Sequence, residues 1–220
     1  MADSLINHQN ARDYWQNIDA DVSGMLGGGF PYVSKVDLLG SRAFLRKIGV
    51  VGGSVKEVGR AVDCGAGIGR ITSGLLLSIA KTVDIVEPIS KFTDALSGTP
   101  GIGQIFNTGL ESWTPSPEPG YDIVWNQWCL GHLTDDQLVN YLNKCRSALT
   151  ERGLVIVKEN LSSSGHDLFD EVDSSVTRTD ENLRVIFERA GLKVVQSQLQ
   201  NGLPKKLFAV RMYALKPKTP

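Results

Sequence analysis

Three closely spaced glycines are the strongest chemical signal in this chain. Gly65, Gly67 and Gly69 follow a short run of strand-forming residues, 58–64, and precede a helical pattern of apolar residues. A strand, a tight glycine turn and a helix N-terminus together form a cradle for a nucleotide cofactor. A dinucleotide fold requires the spacing Gly-x-Gly-x-x-Gly, which places the pyrophosphate at the helix N-terminus. Here Arg70 stands where that third glycine is needed, so the spacing argues against a nicotinamide dehydrogenase.

The glycine spacing instead resembles motif I of S-adenosylmethionine methyltransferases, in which the backbone passes close to the methionine and ribose parts of the cofactor. A second signal agrees with this interpretation. The next predicted strand ends in Glu87, and an acid at this place can accept hydrogen bonds from both ribose hydroxyls. Taken alone, Glu87 is equally compatible with a solvated carboxylate at a strand end. Together the two signals predict S-adenosylmethionine as the cofactor.

Length and composition indicate one globular domain with an extension. The chain has 220 residues, of which 41% are hydrophobic and 21% charged, and its net charge is −1. This charge gives no electrostatic footprint for nucleic acid, and no run approaches the roughly 20 apolar residues of a membrane span. The start does not resemble a signal peptide. The three cysteines lack metal-binding or redox-motif spacing. We therefore expect no metal site, and a cytoplasmic protein with the nucleus as a further compartment.

The elements that position these residues alternate in type from residue 58 onwards. Repeated strand–helix units predict an α/β fold, the Rossmann-like fold of class I S-adenosylmethionine methyltransferases, with a seven-stranded, mostly parallel sheet and ligands at the carboxyl ends of its strands. Thr134 and Gln137 predict a capping box, and Asp180 is a candidate N-cap. The predicted strands are 59–64, 82–87, 103–107, 121–126, 153–159, 193–200 and 207–215. The predicted helices of this part are 69–80, 89–97, 134–149 and 180–190.

Residues 1–57 are predicted to form a helical extension and substrate lid in front of the methyltransferase domain of residues 58–220. Helices are expected at 11–18 and 36–48, from their apolar periodicity. Between them, adjacent glycines are flanked by large apolar side chains, a composition typical of a lid over a substrate. A flexible linker between the two helices is equally compatible with the sequence.

Five blocks of sequence resemble the eukaryotic, fungal-like α-N-terminal protein methyltransferases, over about residues 11–217. These enzymes methylate the free terminal amine of proteins that begin Xaa-Pro-Lys once the initiator methionine is removed. The resemblance therefore implies protein N-termini as partners, ribosomal proteins among them, with no nucleic acid and no membrane. The blocks are Gly24–Gly28, the motif I glycines, Gln127-Trp128 with Gly131-His132-Leu133, Lys158–Asn160 and Asp173–Val176.

The resemblance also implies roles for individual residues. Trp128 would stack on the substrate proline and Asn160 would hold the peptide backbone near the reacting amine. Asp173 and His132 match the pair that would accept a proton, and with Asn160 they form the predicted catalytic set. The implied cofactor residues are Gly65, Gly67, Gly69, Arg70, Glu87, Leu110, Glu111 and Gln127. The further substrate residues are Met25, Leu26, Gly27, Asp170, Glu171, Ser175 and Phe208, of which the two acids would face the substrate lysine.

Elementary chemistry explains why such residues are needed. A protein α-amine has a pKa of about 7.7–8.0 and is mostly charged at pH 7. A carboxylate or imidazole within hydrogen-bond reach can remove its proton. Without the resemblance, His132 is also compatible with a core histidine bonded to the backbone. The acidic run Asp167–Asp173 is then also compatible with a surface loop. Phe208 stands where relatives commonly have tyrosine, and Lys205 and Lys206 stand where they often have an acid, which would weaken selection of lysine.

Two other functions remain open at this point. The chain could be a small-molecule methyltransferase, or another protein methyltransferase, that shares the cofactor-binding half. It could also be a non-catalytic module that binds the cofactor or a peptide. The presence of Asp173, His132 and Asn160 argues against the second, because a module without catalysis has no need of them.

Overall fold

The computed structural model describes residues 1–51, 58–115, 118 and 120–218. Its centre is a seven-stranded sheet in the order β3-β2-β1-β4-β5-β9-β8. Neighbours from β3 to β5 are parallel, whereas β9 is antiparallel to both β5 and β8. The strands are β1 Val58–Cys64, β2 Ala80–Val86, β3 Ile102–Phe106, β4 Tyr121–Gln127, β5 Leu149–Leu161, β8 Leu192–Leu199 and β9 Ala209–Pro217. Two short strands, β6 Leu168–Asp170 and β7 Ser175–Thr177, form a separate antiparallel hairpin.

The order of the strands locates a ligand crevice. From β1 the chain moves outwards to β2 and β3, then returns to the other side of β1 with β4. Ligands of open α/β sheets bind at such a switch point, outside the carboxyl ends of the strands. Here the ends of β1 and β4 meet, since Cys64 is paired with Asn126. The predicted fold class is therefore confirmed, including the seven strands and their mostly parallel arrangement.

Helices cover both faces of the sheet. They are α1 His8–Asn17, α2 Val22–Met25, α3 Val33–Lys47, α4 Arg70–Gly74, α5 Ser90–Thr93, α6 Asp135–Ser147 and α7 Asp180–Arg189. On one face, Tyr141 of α6 and Ile186 of α7 are fully buried in one apolar core. On the other, Phe44 and Leu45 of α3 share a second core with Trp125 of β4. None of the helices in the described ranges is long and apolar enough to cross a membrane.

Helix α3 therefore provides part of the second core, although it belongs to the predicted extension. The predicted division after residue 57 falls at the edge of residues 52–57, which lie outside the described part of the chain. The division into extension and methyltransferase domain stays a prediction. What the structure adds is that α3 packs directly on the sheet through Phe44 and Leu45.

Several predicted elements differ from those observed. The predicted helix 69–80 ends at Gly74 and continues as the 3-10 helix Leu76–Ser78. Gly74 fits closely against α3, where an added Cβ would lie 2.7 Å from Leu38 Cδ1. Likewise the predicted helix 89–97 divides into α5 and the 3-10 helix Asp94–Leu96.

Two local predictions about helix starts had different outcomes. The capping box of α6 is confirmed, with Thr134 and Gln137 each bonding to the other's backbone N–H. The N-cap of α7 is wrong by one residue, because Thr179 Oγ1, not Asp180, accepts from Asn182 N at 3.1 Å. Asp180 instead forms an ion pair with Arg184 at 3.0 Å.

Two further corrections concern the C-terminal half. The last strand begins at Ala209, so Phe208 precedes it rather than lying on it. The acidic segment that ends at Asp173 was not expected to contain strands, yet Asp170 ends β6 and pairs with Ser175 of β7. This hairpin, rather than an open loop, fixes where Asp173 lies.

Candidate active site

The glycine turn leaves β1 with a backbone that side chains rarely adopt. Gly65, Gly67 and Gly69 have φ values of 65°, 54° and 73°. A Cβ on Gly67 would lie 2.6 Å from Met25 Sδ of the predicted lid, so only glycine fits there without displacement. Gly69 directly precedes α4, and a Cβ added to it would meet Leu96. Its role in cofactor binding stays a prediction.

Glu87 directly follows β2 and reaches back to the glycine turn. Its two carboxylate oxygens accept hydrogen bonds from Gly67 N at 2.8 Å and Ile89 N at 2.9 Å. Burial raises the pKa of Glu87 to about 7, against the effect of the two backbone bonds. The carboxylate lines a cavity, where it can accept hydrogen bonds from neighbouring hydroxyl groups.

This first cavity is built from the residues predicted to hold the cofactor, with the exception of Gly69. Apolar side chains of Ile89 and Phe92 join Leu110 on its wall, an arrangement suited to a flat ring system. The predicted residues that line it are Gly65, Gly67, Arg70, Glu87, Leu110, Glu111 and Gln127. These groups fit S-adenosylmethionine. The Glu87 carboxylate suits the ribose hydroxyls, the Arg70 guanidinium suits the carboxylate of the methionine part, and the apolar walls suit the adenine base.

Helix α1 also lines this cavity, through His8, Ala11, Arg12 and Trp15. Sequence reasoning placed a helix here but assigned it no part in the site. Arg12 Nη1 lies 3.5 Å from Glu111 Oε1, and the Lys91 ammonium donates to Ile18 O at 2.7 Å. These contacts hold the N-terminal segment against the cavity.

A buried ionic cluster orients two of the cofactor residues. Asp37 of α3 lies 2.6 Å from Arg70 Nη1 and 2.5 Å from Lys158 Nζ, and Gln127 Nε2 donates to it at 2.9 Å. Burial would raise the pKa of Asp37, but Lys158 and Arg70 outweigh burial and lower it. Burial lowers the pKa of Lys158 although Asp37 opposes this shift. Asp37 was missed because it lies far from its partners in sequence and carries no local motif.

A second cavity adjoins the first and is lined by most of the predicted substrate residues. The two cavities share Trp15, Met25, Trp128 and His132. The predicted residues that line the second are Met25, Leu26, Gly27, Trp128, His132, Asn160, Asp173, Ser175 and Phe208. Phe30, which follows the adjacent glycines of the predicted lid, lines it as well. Met25–Gly27, the segment interpreted as a lid, thus lies at the cavity. That this segment moves to cover a substrate stays a prediction.

Asp170 and Glu171 are not among the residues that line this cavity, and both are exposed. Asp170 Oδ1 accepts from Val172 N at 2.8 Å within the hairpin turn. Asp170 still acts electrostatically towards the cavity, since with Asp173 it adds to the effect of burial that raises the pKa of Tyr14. Tyr14 is a cavity residue that the sequence reasoning did not identify.

Trp128 has a strained backbone, with φ at 54°. Such a conformation costs of order 1–3 kcal/mol in a non-glycine residue and is concentrated at functional sites. Glu159 Oε1 stabilises the turn by accepting from Cys129 N and Leu130 N, both at 3.0 Å. The Arg70 guanidinium lies 5.3 Å from the Trp128 ring centroid, a cation–π contact between the two cavities. Glu159 belongs to the block Lys158–Asn160 of the sequence analysis, where it was given no role of its own.

His132 and Asp173 both line the second cavity. Within the described part of the chain, His132 Nδ1 and Asp173 Oδ1 are buried without a hydrogen-bond partner. Burial lowers the pKa of His132, while the Asp173 carboxylate acts in the opposite direction. A carboxylate beside this cavity can receive a proton from a bound group, and a neutral imidazole next to it can donate or accept a hydrogen bond. The described residues contain no His, Cys, Asp and Glu cluster that could hold a metal ion.

The strand order, the glycine turn after β1 and the acid after β2 define a class I S-adenosylmethionine methyltransferase. The chain belongs to the family of AdoMet-dependent proline di-methyltransferases, whose family model matches residues 3–216. S-adenosylmethionine is accordingly its cofactor, and the nicotinamide alternative is excluded. The individual residue roles stay predictions.

Similar proteins cover nearly the whole chain. Alpha N-terminal protein methyltransferase 1 of Schizosaccharomyces pombe is 45% identical, covering 96% of each chain. N-terminal Xaa-Pro-Lys N-methyltransferase 1 of Danio rerio is 40% identical, covering 98% of this chain and 100% of its own. The structure of a SAM-dependent methyltransferase from Leishmania major has a TM-score of 0.86 at 38% identity, covering 95% of this chain and 82% of that one. The complex of DhpI with SAH, at 16% identity and a TM-score of 0.69, shares the fold alone.

Proposed function

We propose that this protein methylates the free α-amine of proteins that begin Xaa-Pro-Lys after the initiator methionine has been removed. The observation that carries the proposal is the pair of adjoining cavities with Trp128 and His132 on their shared wall. One cavity has the groups that S-adenosylmethionine requires, and the other has a carboxylate and an imidazole for an amine. The relatives named as N-terminal methyltransferases, at 45% and 40% identity, support the same substrate class.

S-adenosylmethionine, when bound, supplies a methyl group on a positively charged sulfur. The residues of the chain prepare the amine. Asp173 accepts a proton from the ammonium group, with His132 beside it, so that a lone pair becomes available. Trp128 packs against the substrate proline, and the Asn160 side chain holds the peptide backbone. Because these groups act mainly by position, their fixed geometry is the main source of rate.

Selection of lysine at the third position is expected to be modest. Asp170 and Glu171 are exposed, and they attract a cation through solvent rather than in a closed pocket. Lys206 Nζ lies 4.6 Å from the Phe30 ring centroid, beside the second cavity. This contact keeps a positive charge near the lid and opposes a substrate lysine. Ribosomal proteins remain candidate substrates, and the cytoplasm and nucleus the proposed compartments.

A peptide series tests the proposed function. Peptides beginning Ser-Pro-Lys, Ser-Ala-Lys, Ser-Pro-Gln and Ser-Pro-Glu, and an acetylated Ser-Pro-Lys peptide, are compared as kcat/KM at one fixed salt concentration. We expect no product from the acetylated peptide, a lower rate with alanine, a modest loss with glutamine and the largest side-chain effect with glutamate. Equal rates for the lysine and glutamate peptides would refute an acidic binding region. No methylation of any peptide would favour a small-molecule substrate.

A further inference from the structure

The indole of Trp15 makes a hydrogen bond whose direction is fixed by chemistry. Trp15 Nε1 lies 3.1 Å from His132 Nε2, and the two rings meet edge to face at 87°. An indole nitrogen can only donate a hydrogen bond. His132 Nε2 must therefore be the acceptor and cannot carry a proton while this bond exists.

The proton of the neutral ring must then lie on Nδ1, since a neutral imidazole has one N–H and one bare nitrogen. Four charged or polar groups act on this ring. Asp173, the Ser174 backbone and Glu111 favour its charged form, whereas burial and His8 disfavour it, and the net effect is a lowered pKa. The lowered pKa favours the neutral ring, which is the form that the Trp15 bond requires.

We propose that Trp15 is a positioning residue that holds His132 in the Nδ1–H form and so leaves Asp173 as the group that takes the amine proton. The inference rests on the proposed function for its amine substrate. In this step one N–H bond of the ammonium breaks and its proton forms an O–H bond with the Asp173 carboxylate. The amine keeps the electron pair. His132 contributes an N–H donor rather than a base.

A protonated His132 would be incompatible with the observed contact. A proton on Nε2 would point at the indole N–H, and two donors would face each other across 3.1 Å. Trp15 would have to move away, but the segment around it is anchored on both sides. Asn7 N donates to Ser174 Oγ at 2.8 Å, and the Lys91 ammonium donates to Ile18 O at 2.7 Å. The first of these bonds joins the segment to the residue that follows Asp173.

The most direct test is the tautomer of His132 in the full-length protein. The chain has three histidines, so nitrogen-15 labelling of histidine gives a spectrum in which His132→Gln and His166→Gln assign the signals. We expect a protonated Nδ1 and a bare Nε2 at pH 7 for His132 in the wild-type protein. A protonated Nε2 in the wild-type protein would overturn the proposal. The two variants only assign the signals, and the measurement on the wild-type protein needs no substrate.

The variant Trp15→Phe keeps an aromatic ring and removes only the donor. We expect a mixture of the two tautomers and a raised pKa of His132, because the bond that favours the neutral ring is lost. The pH dependence of kcat should then gain a titration that the wild-type enzyme lacks. An unchanged tautomer and titration in a folded Trp15→Phe protein would overturn the proposal. If the tautomer behaves as expected but no peptide is methylated, the proposed function alone fails.

Discussion

Two carboxylates of the candidate active site, Glu87 and Asp173, have different environments. Glu87 is bound by two backbone N–H groups next to the glycine turn. Asp173 has an oxygen that is buried without a partner in the described chain. The Glu87 carboxylate is held in one orientation by its two backbone bonds, whereas Asp173 Oδ1 is free to accept a hydrogen bond or a proton from a bound group. This difference supports the predicted roles, Glu87 in cofactor binding and Asp173 in proton transfer.

The variant Asp173→Asn tests the proton acceptor. An amide of the same shape cannot take up a proton, so turnover should fall by about 10²-fold or more, as is usual when acid–base catalysis is lost. The affinity for the cofactor should stay near that of the wild-type enzyme. The measurement is single-turnover methylation of a Ser-Pro-Lys peptide at pH 7, with calorimetry for the cofactor. A variant with the wild-type rate would contradict the role of Asp173.

We expect cofactor binding to depend on pH, because the carboxyl group of Glu87 must be ionised to accept two hydrogen bonds from hydroxyl groups. Hydroxyl groups donate to the ionised carboxylate, so binding displaces any proton that Glu87 carries. Because burial raises the pKa of Glu87 to about 7, affinity should be full above that pH. Below it, affinity should fall by up to about tenfold per pH unit. Calorimetry with S-adenosylhomocysteine at pH 6 and pH 8 measures this, and Glu87→Gln should bind more weakly with a flatter profile. Parallel profiles for both proteins would show that another group is responsible.

At the element scale, α3 and the glycine turn are held together by the Asp37 cluster. Asp37 lies on α3, Arg70 begins α4 and Lys158 lies on β5. A buried charge that loses its partner is strongly unfavourable. The cluster therefore ties the orientation of a cofactor residue to the packing of the N-terminal helices.

Removal of Asp37 should be strongly destabilising. Asp37→Ala leaves the fully buried Lys158 without its counter-ion, and we expect the free energy of unfolding to fall by about 3–5 kcal/mol. Cofactor affinity should fall as well, because Arg70 loses its support. The matched control is Asp136→Ala, which breaks an exposed pair with Arg189 and should change little. Denaturant unfolding of both variants measures the difference, and equal losses would contradict the role of the cluster.

Gly67 provides a test of the turn itself. Gly67→Val combines a positive φ with a side chain that meets Met25, and it displaces the N–H that Glu87 accepts. S-adenosylmethionine should raise the melting temperature of the wild-type protein, whereas it should have no effect on this variant. Gly98→Val is the control, since Gly98 has a φ of +77° with open space around it. Gly98→Val should melt at a lower temperature than the wild-type protein, and S-adenosylmethionine should still raise that temperature. If S-adenosylmethionine also raised the melting temperature of Gly67→Val, the predicted contact between Gly67 and the cofactor would be refuted.

Across the whole molecule, the fold class and the lining of the first cavity were easier to predict from the sequence than the contacts of the N-terminal helices α1 and α3 with the sheet. Gly65 and Gly67 lie in the turn after β1, and Glu87 directly follows β2. Each therefore lies in a short pattern at the end of one strand, which the local sequence can reveal. Asp37 and Trp15 could not be found in this way. Asp37 acts on Lys158, 121 residues away, and Trp15 acts on His132, 117 residues away. Such contacts arise only when α1 and α3 pack on the sheet.

The β6–β7 hairpin illustrates the same difficulty. Its strands have three residues each. Most of the residues around them are polar, so the sequence is also compatible with an acidic surface segment. Ser174, with a φ of 55°, is bonded to Asn7 from the N-terminal segment. The position of Asp173 is thus decided by a residue near the other end of the chain.

Transfer of the methyl group to a protein α-amine is tested by tandem mass spectrometry of a Ser-Pro-Lys peptide after incubation with the protein and S-adenosylmethionine. We expect the added mass on the α-nitrogen of the first residue and an unchanged acetylated peptide. Methyl groups found on the lysine side chain, or on the acetylated peptide, would contradict this expectation.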